Sequence, residues 1–189
     1  MSDINITEST VALIDSLKST TAEFGLAGTG SEYKIVIEIF LYKFFNDKFG
    51  YEAKKDKVYG ERLRRAEKWD AEYDTFTDEE VEDLFSYLPS SVPRLKPEHT
   101  LAHLYNATGK GDFSTLLDAT LIDIAKINSD TFSVSTSGKS RVNIFSAVTS
   151  YVTDTQKRDE FAKSLMRKVA SFNFEDVFTE KYDFFSRVF

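Results

Sequence analysis

The chain lacks cysteine, and its 189 residues include only three prolines and eight glycines. Without cysteine the protein cannot form a disulfide framework, a thiol nucleophile or a cysteine-based zinc site. A reducing compartment fits this composition, and we expect the protein to be cytoplasmic. No two prolines are adjacent, which excludes any Pro-Pro motif, and no glycine-rich turn follows a buried strand, so the usual sequence signal of a nucleotide-binding loop is missing.

Long uncharged hydrophobic runs are also missing. The longest apolar stretch is interrupted by Glu38 and Lys43, far short of the roughly 20 apolar residues that a membrane-spanning helix needs. No charged segment followed by an apolar leader precedes it. We therefore expect a soluble protein without a membrane partner.

Acidic residues outnumber basic ones, 31 to 24, and the resulting formal net charge of -7 argues against nucleic-acid binding over the whole surface. The charge is unevenly distributed. Residues 54–68, called the basic block below, carry seven basic side chains and three acidic ones, whereas residues 70–83 carry eight acids and no base. The block can neutralise phosphates, or it can be a solvated helix face whose charges pair with the acidic stretch that follows.

Hydrophobic residues make up 41% of the chain, with 17 phenylalanines and nine tyrosines, which is enough for a sizeable core. Residues 31–49 are apolar on nearly every side at helical spacing. Their polar residues Lys34, Glu38, Lys43 and Asp47 form two i,i+4 pairs, so we expect a helix through the middle of the domain with this one edge in water. The sequence predicts a single all-α domain, a compact multi-helix bundle around this central helix, with little or no sheet.

Capping signals predict where other helices begin. Thr29 with Glu32 and Thr77 with Glu80 have the spacing of capping boxes, and Asp112 is placed to cap a helix that follows it. Apolar periodicity predicts further helices at 142–152 and 161–172, and 131–135 is a short strand candidate. Residues 89–111 contain all three prolines, which predicts a long surface loop.

Two short motifs imitate chemical sites, and neither is complete. His99 and His103 have the i,i+4 spacing of a helical zinc pair, but Thr100 stands where a metalloprotease has glutamate, and no third ligand is evident. Residues 137–140 read Ser-Gly-Lys-Ser and imitate the end of a phosphate-binding loop, yet Ser133 occupies the position of the first glycine. We therefore predict no metal site and a flexible turn at 137–140.

Residues 31–34 (Ser-Glu-Tyr-Lys), 39–43 (Ile-Phe-Leu-Tyr-Lys) and 46–47 (Asn-Asp) follow a first helix at 11–17 and a glycine-containing turn at 25–30. In this order they resemble the start of the modification (methyltransferase) subunit of type I restriction-modification systems. A second matching stretch contains residues 144–145, a helix at about 161–172, and residues 183–185. The resemblance covers both ends of the chain, and it is loose between about 50 and 111.

The resemblance implies the amino-terminal helical domain of an S-adenosylmethionine-dependent adenine-N6 DNA methyltransferase subunit. The family's Asn/Asp-Pro-Pro-aromatic turn and cofactor loop are missing here, so we expect no catalytic site and no cofactor in these residues, with S-adenosylmethionine bound by a catalytic domain further along. The apolar pattern at 183–189 lacks a terminator, so we expect the chain to be a fragment that ends before that domain. The implied partners are the carboxyl-terminal methyltransferase domain, the specificity and restriction subunits, and duplex DNA.

The candidate site residues follow from charge and aromatic clustering. The candidates for DNA contact are Lys54, Lys55, Lys57, Arg62, Arg64, Arg65, Lys139 and Arg141. The candidates for docking onto another domain or subunit are Phe184, Phe185 and Phe189. Trp69 is expected to pack in the core and not to contact bases. Two other functions stay open: a stand-alone helical interaction module or regulator without DNA contact, and a small metalloenzyme using His99 and His103.

Overall fold

The computed structural model describes residues 3–132, 134–135 and 141–179, and helices dominate it, which confirms the predicted all-α class. The α-helices are α1 Asp3–Glu23, α2 Gly30–Ala53, α3 Gly60–Arg65, α4 Trp69–Tyr73, α5 Asp78–Tyr87, α6 Leu101–Ala107, α7 Phe113–Ile127, α8 Arg158–Ala170 and α9 Glu175–Thr179. Short 3-10 helices cover Pro97–His99, Val148–Tyr151 and Thr155–Lys157. The strands β1 Val134–Ser135 and β2 Arg141–Val142 pair in antiparallel fashion. Within the described residues no helix is long and apolar enough to cross a bilayer.

Helix α2 lies at the centre of the bundle, as predicted, with α1, α8 and α9 packed against it. Ile35, Ile39, Tyr42 and Phe49 of this helix are completely buried. Each buried apolar side chain of this size contributes about 1.5–3 kcal/mol to folding. The turn before α2 brings α1 back against it, and Gly25 takes a φ of 79° there, a conformation that residues with a side chain rarely adopt.

The polar residues of α2 do not form the wet edge that the sequence predicts. Glu38, Lys43 and Asp47 are buried, and only Lys34 is exposed. The open edge of the helix instead carries Tyr33 and Ile37, which are 61% and 45% exposed. The prediction was wrong because Glu38 and Asp47 hydrogen-bond segments more than a hundred residues away in the chain, which local periodicity does not reveal.

Two of the predicted caps are present, in different forms. Thr77 and Glu80 make a complete capping box at the start of α5. Thr29 accepts the backbone N–H of Glu32 at 3.2 Å, but the Glu32 carboxylate accepts from the Gly28 backbone N–H at 2.7 Å and does not return to Thr29. Both helices nevertheless begin where the sequence predicts.

The start of α7 is capped by a residue from another helix. Asp112 occupies the N-cap position with a φ of 57°, but its side chain makes no capping hydrogen bond. Asp159 of α8 instead accepts the backbone N–H of Ser114 at 2.8 Å and its hydroxyl at 2.7 Å. These hydrogen bonds lower the pKa of Asp159. The prediction of Asp112 as the capping side chain was therefore wrong.

Residues 89–111 are not the long surface loop that their prolines suggest. They contain the 3-10 helix Pro97–His99 and α6, and Val92, Leu95 and Leu104 are buried. The Arg94 guanidinium donates to three backbone carbonyls between residues 88 and 92, at 2.7 to 3.1 Å. These hydrogen bonds satisfy backbone carbonyls that have no helical or strand partner, so this irregular segment can pack against the core.

The short helix predicted at 142–152 is largely absent. Val142 lies in β2, and only Val148–Tyr151 forms a 3-10 turn. The strand candidate at 131–135 contributes only its last two residues to β1. The expectations for residues 137–140 and 183–189 fall outside the described residues.

Candidate functional site

A groove of about 1020 Å³ is lined by residues of α3, α4 and α6, by the carboxyl-terminal half of α2, and by the turn joining α8 to α9. The volume is just above the usual range for small-molecule sites, about 300–1,000 Å³. We call this feature the groove.

The floor of the groove is a polar network on α2. The Asp47 Oδ1 oxygen accepts from the Lys43 ammonium at 2.8 Å and from the Asn46 side-chain amide at 3.0 Å. Asp47 Oδ2 accepts the backbone N–H of Phe174 at 2.9 Å, and Asn46 Oδ1 accepts that of Leu101 at 2.8 Å. Asn46 thereby holds the start of α6 and Asp47 holds the segment before α9, while Lys43 pairs with Asp47.

The side chains that line the groove are nearly balanced in charge. The basic members are Lys43, Lys54, Arg64 and Lys68, and the acidic members are Asp47, Glu67, Asp70, Asp74 and Glu175. Several are already paired: Lys54 with Glu175, Lys43 with Asp47, and the imidazole of His103 with Asp74 at 3.1 Å. A polyanion therefore meets little net attraction inside the groove.

Trp69 forms part of one wall and packs against α2. A Cβ atom at Gly50 would lie 2.5 Å from the Trp69 ring, so only glycine allows the indole to approach the helix so closely. Trp69 also contacts Phe49, with ring centroids 6.1 Å apart. The prediction that Trp69 is a packing residue is confirmed, although this residue also lines the groove.

The two histidines of the suggested zinc pair have different carboxylate partners. His99 is buried, accepts the Lys96 backbone N–H at Nδ1, and places Nε2 3.0 Å from Asp123. Burial lowers the pKa of His99, so the ring is neutral with its proton on Nε2. His103 pairs with Asp74. Among the residues that the structure describes, no cluster of three or more histidine, aspartate or glutamate side chains is arranged to hold a metal ion.

Arg62 belongs to the basic block, but its guanidinium is used inside the fold. It donates to Glu72 at 2.5 Å, to Glu80 at 2.9 Å and to Thr75 at 2.8 Å, and it stacks 4.3 Å from the Phe76 ring centroid. The hydrogen bond to Glu72 raises the pKa of Arg62 further. Arg62 therefore connects α3 to the acidic stretch at residues 70–83. This is the alternative in which the basic block pairs with the acids that follow it.

The remaining members of the block are more accessible. The Arg65 side chain is 79% exposed and pairs with Glu61 on its own helix. Lys55 lies 3.6 Å from the Tyr51 ring centroid and 3.4 Å from Glu52. Lys57 is exposed and has no acidic partner within the described residues. Arg64 donates to the backbone carbonyl of Lys54, which itself pairs with Glu175.

The structure therefore divides the predicted DNA-binding residues into groups. Arg62 is held in a salt-bridge network, Lys54 and Arg64 border the groove, and Lys55, Lys57 and Arg65 are exposed. Lys139 and the side chain of Arg141 lie outside the described residues, as do the docking candidates Phe184, Phe185 and Phe189.

A second polar cluster, at the amino-terminal half of α2, was not predicted. Glu38 accepts the backbone N–H of Ser146 at 2.7 Å, and Asp118 of α7 accepts that of Thr149 at 3.0 Å. Burial raises the pKa of both carboxyls. Together they hold the segment around Val148–Tyr151 against α2 and α7.

The groove floor was also missed, although one signal for it was present. Polar residues at positions 43, 46 and 47 lie among the aromatic residues of a mostly apolar helix, and polar residues that are buried require partners inside the protein. Their partners, at Leu101 and Phe174, are distant in sequence and could not be inferred from spacing. Comparison of the chain with protein-family models, with curated proteins and with solved structures finds no match.

Proposed function

We propose that this chain is the amino-terminal helical domain of the modification subunit of a type I restriction-modification system. In this function it holds DNA and neighbouring subunits while methyl transfer from S-adenosylmethionine to adenine N6 takes place in a separate catalytic domain. The chain then contributes affinity and orientation and no bond-making group.

The observation that carries the proposal is the motif at residues 31–34. It opens the central helix directly after the Thr29 cap and a turn with Gly25 in the left-handed region, and a first helix precedes that turn. This order of elements is the order that the resemblance implies, and the central position of α2 explains why so many of the matching residues are apolar.

The exposed part of the basic block supports the DNA-contact part of the proposal. Lys55, Lys57 and Arg65 present positive charge at the surface near the end of α2 and on α3. Side chains of this kind attract any DNA sequence through its phosphates, whereas sequence choice in this family is made by the specificity subunit.

The test uses the enzyme assembled from modification and specificity subunits. Replacing Lys55, Lys57 and Arg65 with alanine is expected to weaken binding to all duplex sequences alike. The salt slope, which is the slope of the logarithm of the binding constant against the logarithm of the salt concentration, is expected to decrease in magnitude by about 1 for each phosphate that is no longer neutralised. The matched control is Arg62→Ala, which is expected to leave the salt slope unchanged and to lower the stability of the fold by about 1–2 kcal/mol.

An unchanged salt slope in the triple variant would contradict the proposal that this surface contacts DNA. An Asn-Pro-Pro-aromatic turn encoded further along the gene would support the parent identity independently. The second candidate function is an interaction module without DNA contact, and the balanced charge of the groove favours it. In that case the triple variant and the unmodified chain bind duplex DNA equally weakly at every salt concentration.

A further inference from the structure

Lys43 is a buried cation in the groove floor with donors to spare. Its side chain is 7% exposed, and Asp47 Oδ1 is its one acceptor within the described residues. An ammonium group has three N–H donors, and buried donors generally need acceptors. Because Lys43 lines the groove, an acceptor oxygen that enters the groove can bind it.

The charge around Lys43 does not favour a polyanion as the occupant. The ammonium is already neutralised by Asp47, and Lys54 by Glu175. The remaining acids of the lining, Glu67 and Asp70, are matched in number by the remaining bases, Arg64 and Lys68, so a chain of phosphates gains little net attraction there. An occupant with little net charge and a local oxygen acceptor fits this environment better than a nucleic-acid strand.

The remaining polar side chains of the groove match the hydrogen-bonding groups of a peptide backbone. Asn106 is exposed on α6 and has no partner within the described residues, and its amide can both donate and accept. Asn173 uses its Oδ1 to accept the Glu175 backbone N–H and keeps its amide N–H groups available. A peptide bond offers one acceptor and one donor at each residue, which is the pairing that such amides satisfy.

We propose that the groove binds an extended polypeptide segment of a partner, with a carbonyl or carboxylate oxygen on the Lys43 ammonium. Small side chains such as Ala102 let a backbone approach α6, and the Trp69 ring provides an apolar wall. The inference rests on the subunit-assembly part of the proposed function, and it assigns that role to the groove while DNA contact stays with the exposed basic residues.

The test uses the 189-residue chain and a display library of short random peptides, followed by synthetic copies of the enriched sequences. Trp69 is the only tryptophan of the chain and lines the groove, so its indole N–H gives one assignable NMR signal from the proposed binding surface. The peptides are expected to shift this signal. Asn106→Phe fills the groove from an exposed helix position and removes an amide, so it is expected to weaken binding at least about tenfold.

Two variants complete the design. Thr115→Phe places the same ring on an exposed position of α7 that does not line the groove, and it is expected to leave peptide affinity unchanged. Lys43→Met is expected to weaken binding about tenfold because the charged donor is removed. If Lys43→Met does not fold, the comparison of Asn106→Phe with Thr115→Phe still decides the outcome.

Several results would overturn the proposal. The first is that the display library yields no enriched peptides. The second is that the peptides bind Asn106→Phe and Thr115→Phe equally well. The third is that a thymidine oligonucleotide shifts the Trp69 signal of the unmodified chain and that Asn106→Phe abolishes its binding. These outcomes are separate from failure of the proposed DNA contact, since a reduced salt slope in the basic-block variant would stand in each case.

Discussion

Glu38 and Asp47 lie on the two halves of α2, and each accepts the backbone N–H of a remote segment, that of Ser146 at 2.7 Å and that of Phe174 at 2.9 Å. Each also has a lysine four residues earlier in the chain. Lys43 lies 2.8 Å from Asp47, and both side chains are 7% exposed. Lys34 lies 3.8 Å from Glu38 and is 48% exposed, so solvent screens its charge.

The difference shows that the same i,i+4 pattern of lysine and carboxylate can contribute differently to the stability of the fold. In the carboxyl-terminal half, the ion pair is buried, and Asn46 donates a further hydrogen bond to Asp47. Removing either charge would leave the other one buried without its partner. In the amino-terminal half, the carboxyl is buried more deeply than its partner lysine, and burial therefore raises the pKa of Glu38. The i,i+4 spacing is identical, and the packing around each pair decides what the pair contributes.

Removing each carboxylate tests this difference most strongly. Asp47→Ala leaves the buried Lys43 ammonium without its acceptor and is expected to lower the free energy of unfolding by about 3–5 kcal/mol. Glu38→Ala is the matched variant, and it is expected to cost about 1–3 kcal/mol because Lys34 stays in water. Denaturant titration of both variants measures the two decreases, and equal decreases would contradict the distinction between the two halves.

The glycines at the two ends of α2 offer a second comparison. Gly50→Ala places a methyl group 2.5 Å from the Trp69 ring and is expected to cost about 1–3 kcal/mol. Gly30→Ala meets open space and is expected to stabilise the protein by about 0.5 kcal/mol, by restricting the unfolded chain. Thermal unfolding of the two variants should shift in opposite directions. Equal shifts would show that Trp69 does not pack tightly on α2.

The smallest expected effect is a change in how stability depends on pH. Because the folded protein raises the pKa of Glu38, this carboxyl stabilises the fold below its unfolded pKa, and the contribution is lost as pH rises through the folded pKa. Glu38→Gln keeps an oxygen acceptor for Ser146 but does not titrate. The variant is therefore expected to gain about 0.5–1 kcal/mol relative to the unmodified protein between about pH 4 and pH 7.

Urea midpoints of the two proteins across this pH range measure the difference. His99 contributes a slope of its own near neutral pH, because burial lowers its pKa and stability falls as the unfolded chain takes up a proton. That slope is common to both proteins and cancels in the comparison. A constant difference between the two proteins at every pH would contradict the role assigned to Glu38.

The apolar periodicity of α2 and the Thr77–Glu80 capping box were readable from the sequence because both depend on residues within a few positions of each other. The buried state of Lys43 and Asp47 was not, since it depends on a backbone N–H at Phe174. Residues 89–111 were misjudged for a related reason. Proline density predicted a loop there, whereas the apolar spacing of Leu101 and Leu104 was a sign of a buried helix.

Of the candidate site, the sequence identified charges but not their surroundings. Arg62 and Arg65 are three residues apart in one charged run, yet the first is held by Glu72 and Glu80 and the second is largely in solvent. Which basic residue is accessible depends on how α3 packs against the acidic stretch. The groove could not be predicted at all, because its lining comes from α2, α3, α4, α6 and the turn after α8.

The capping of α7 by Asp159 has a consequence for the cooperativity of the fold. The first turn of α7 obtains its acceptor from α8, so that turn is completed only when the two helices are docked. Local opening of α8 therefore also frays the beginning of α7, and their backbone amides should lose protection from hydrogen exchange as one unit. A single carboxylate thus couples the motions of two helices, although Ser114 and Asp159 are 45 positions apart in the chain.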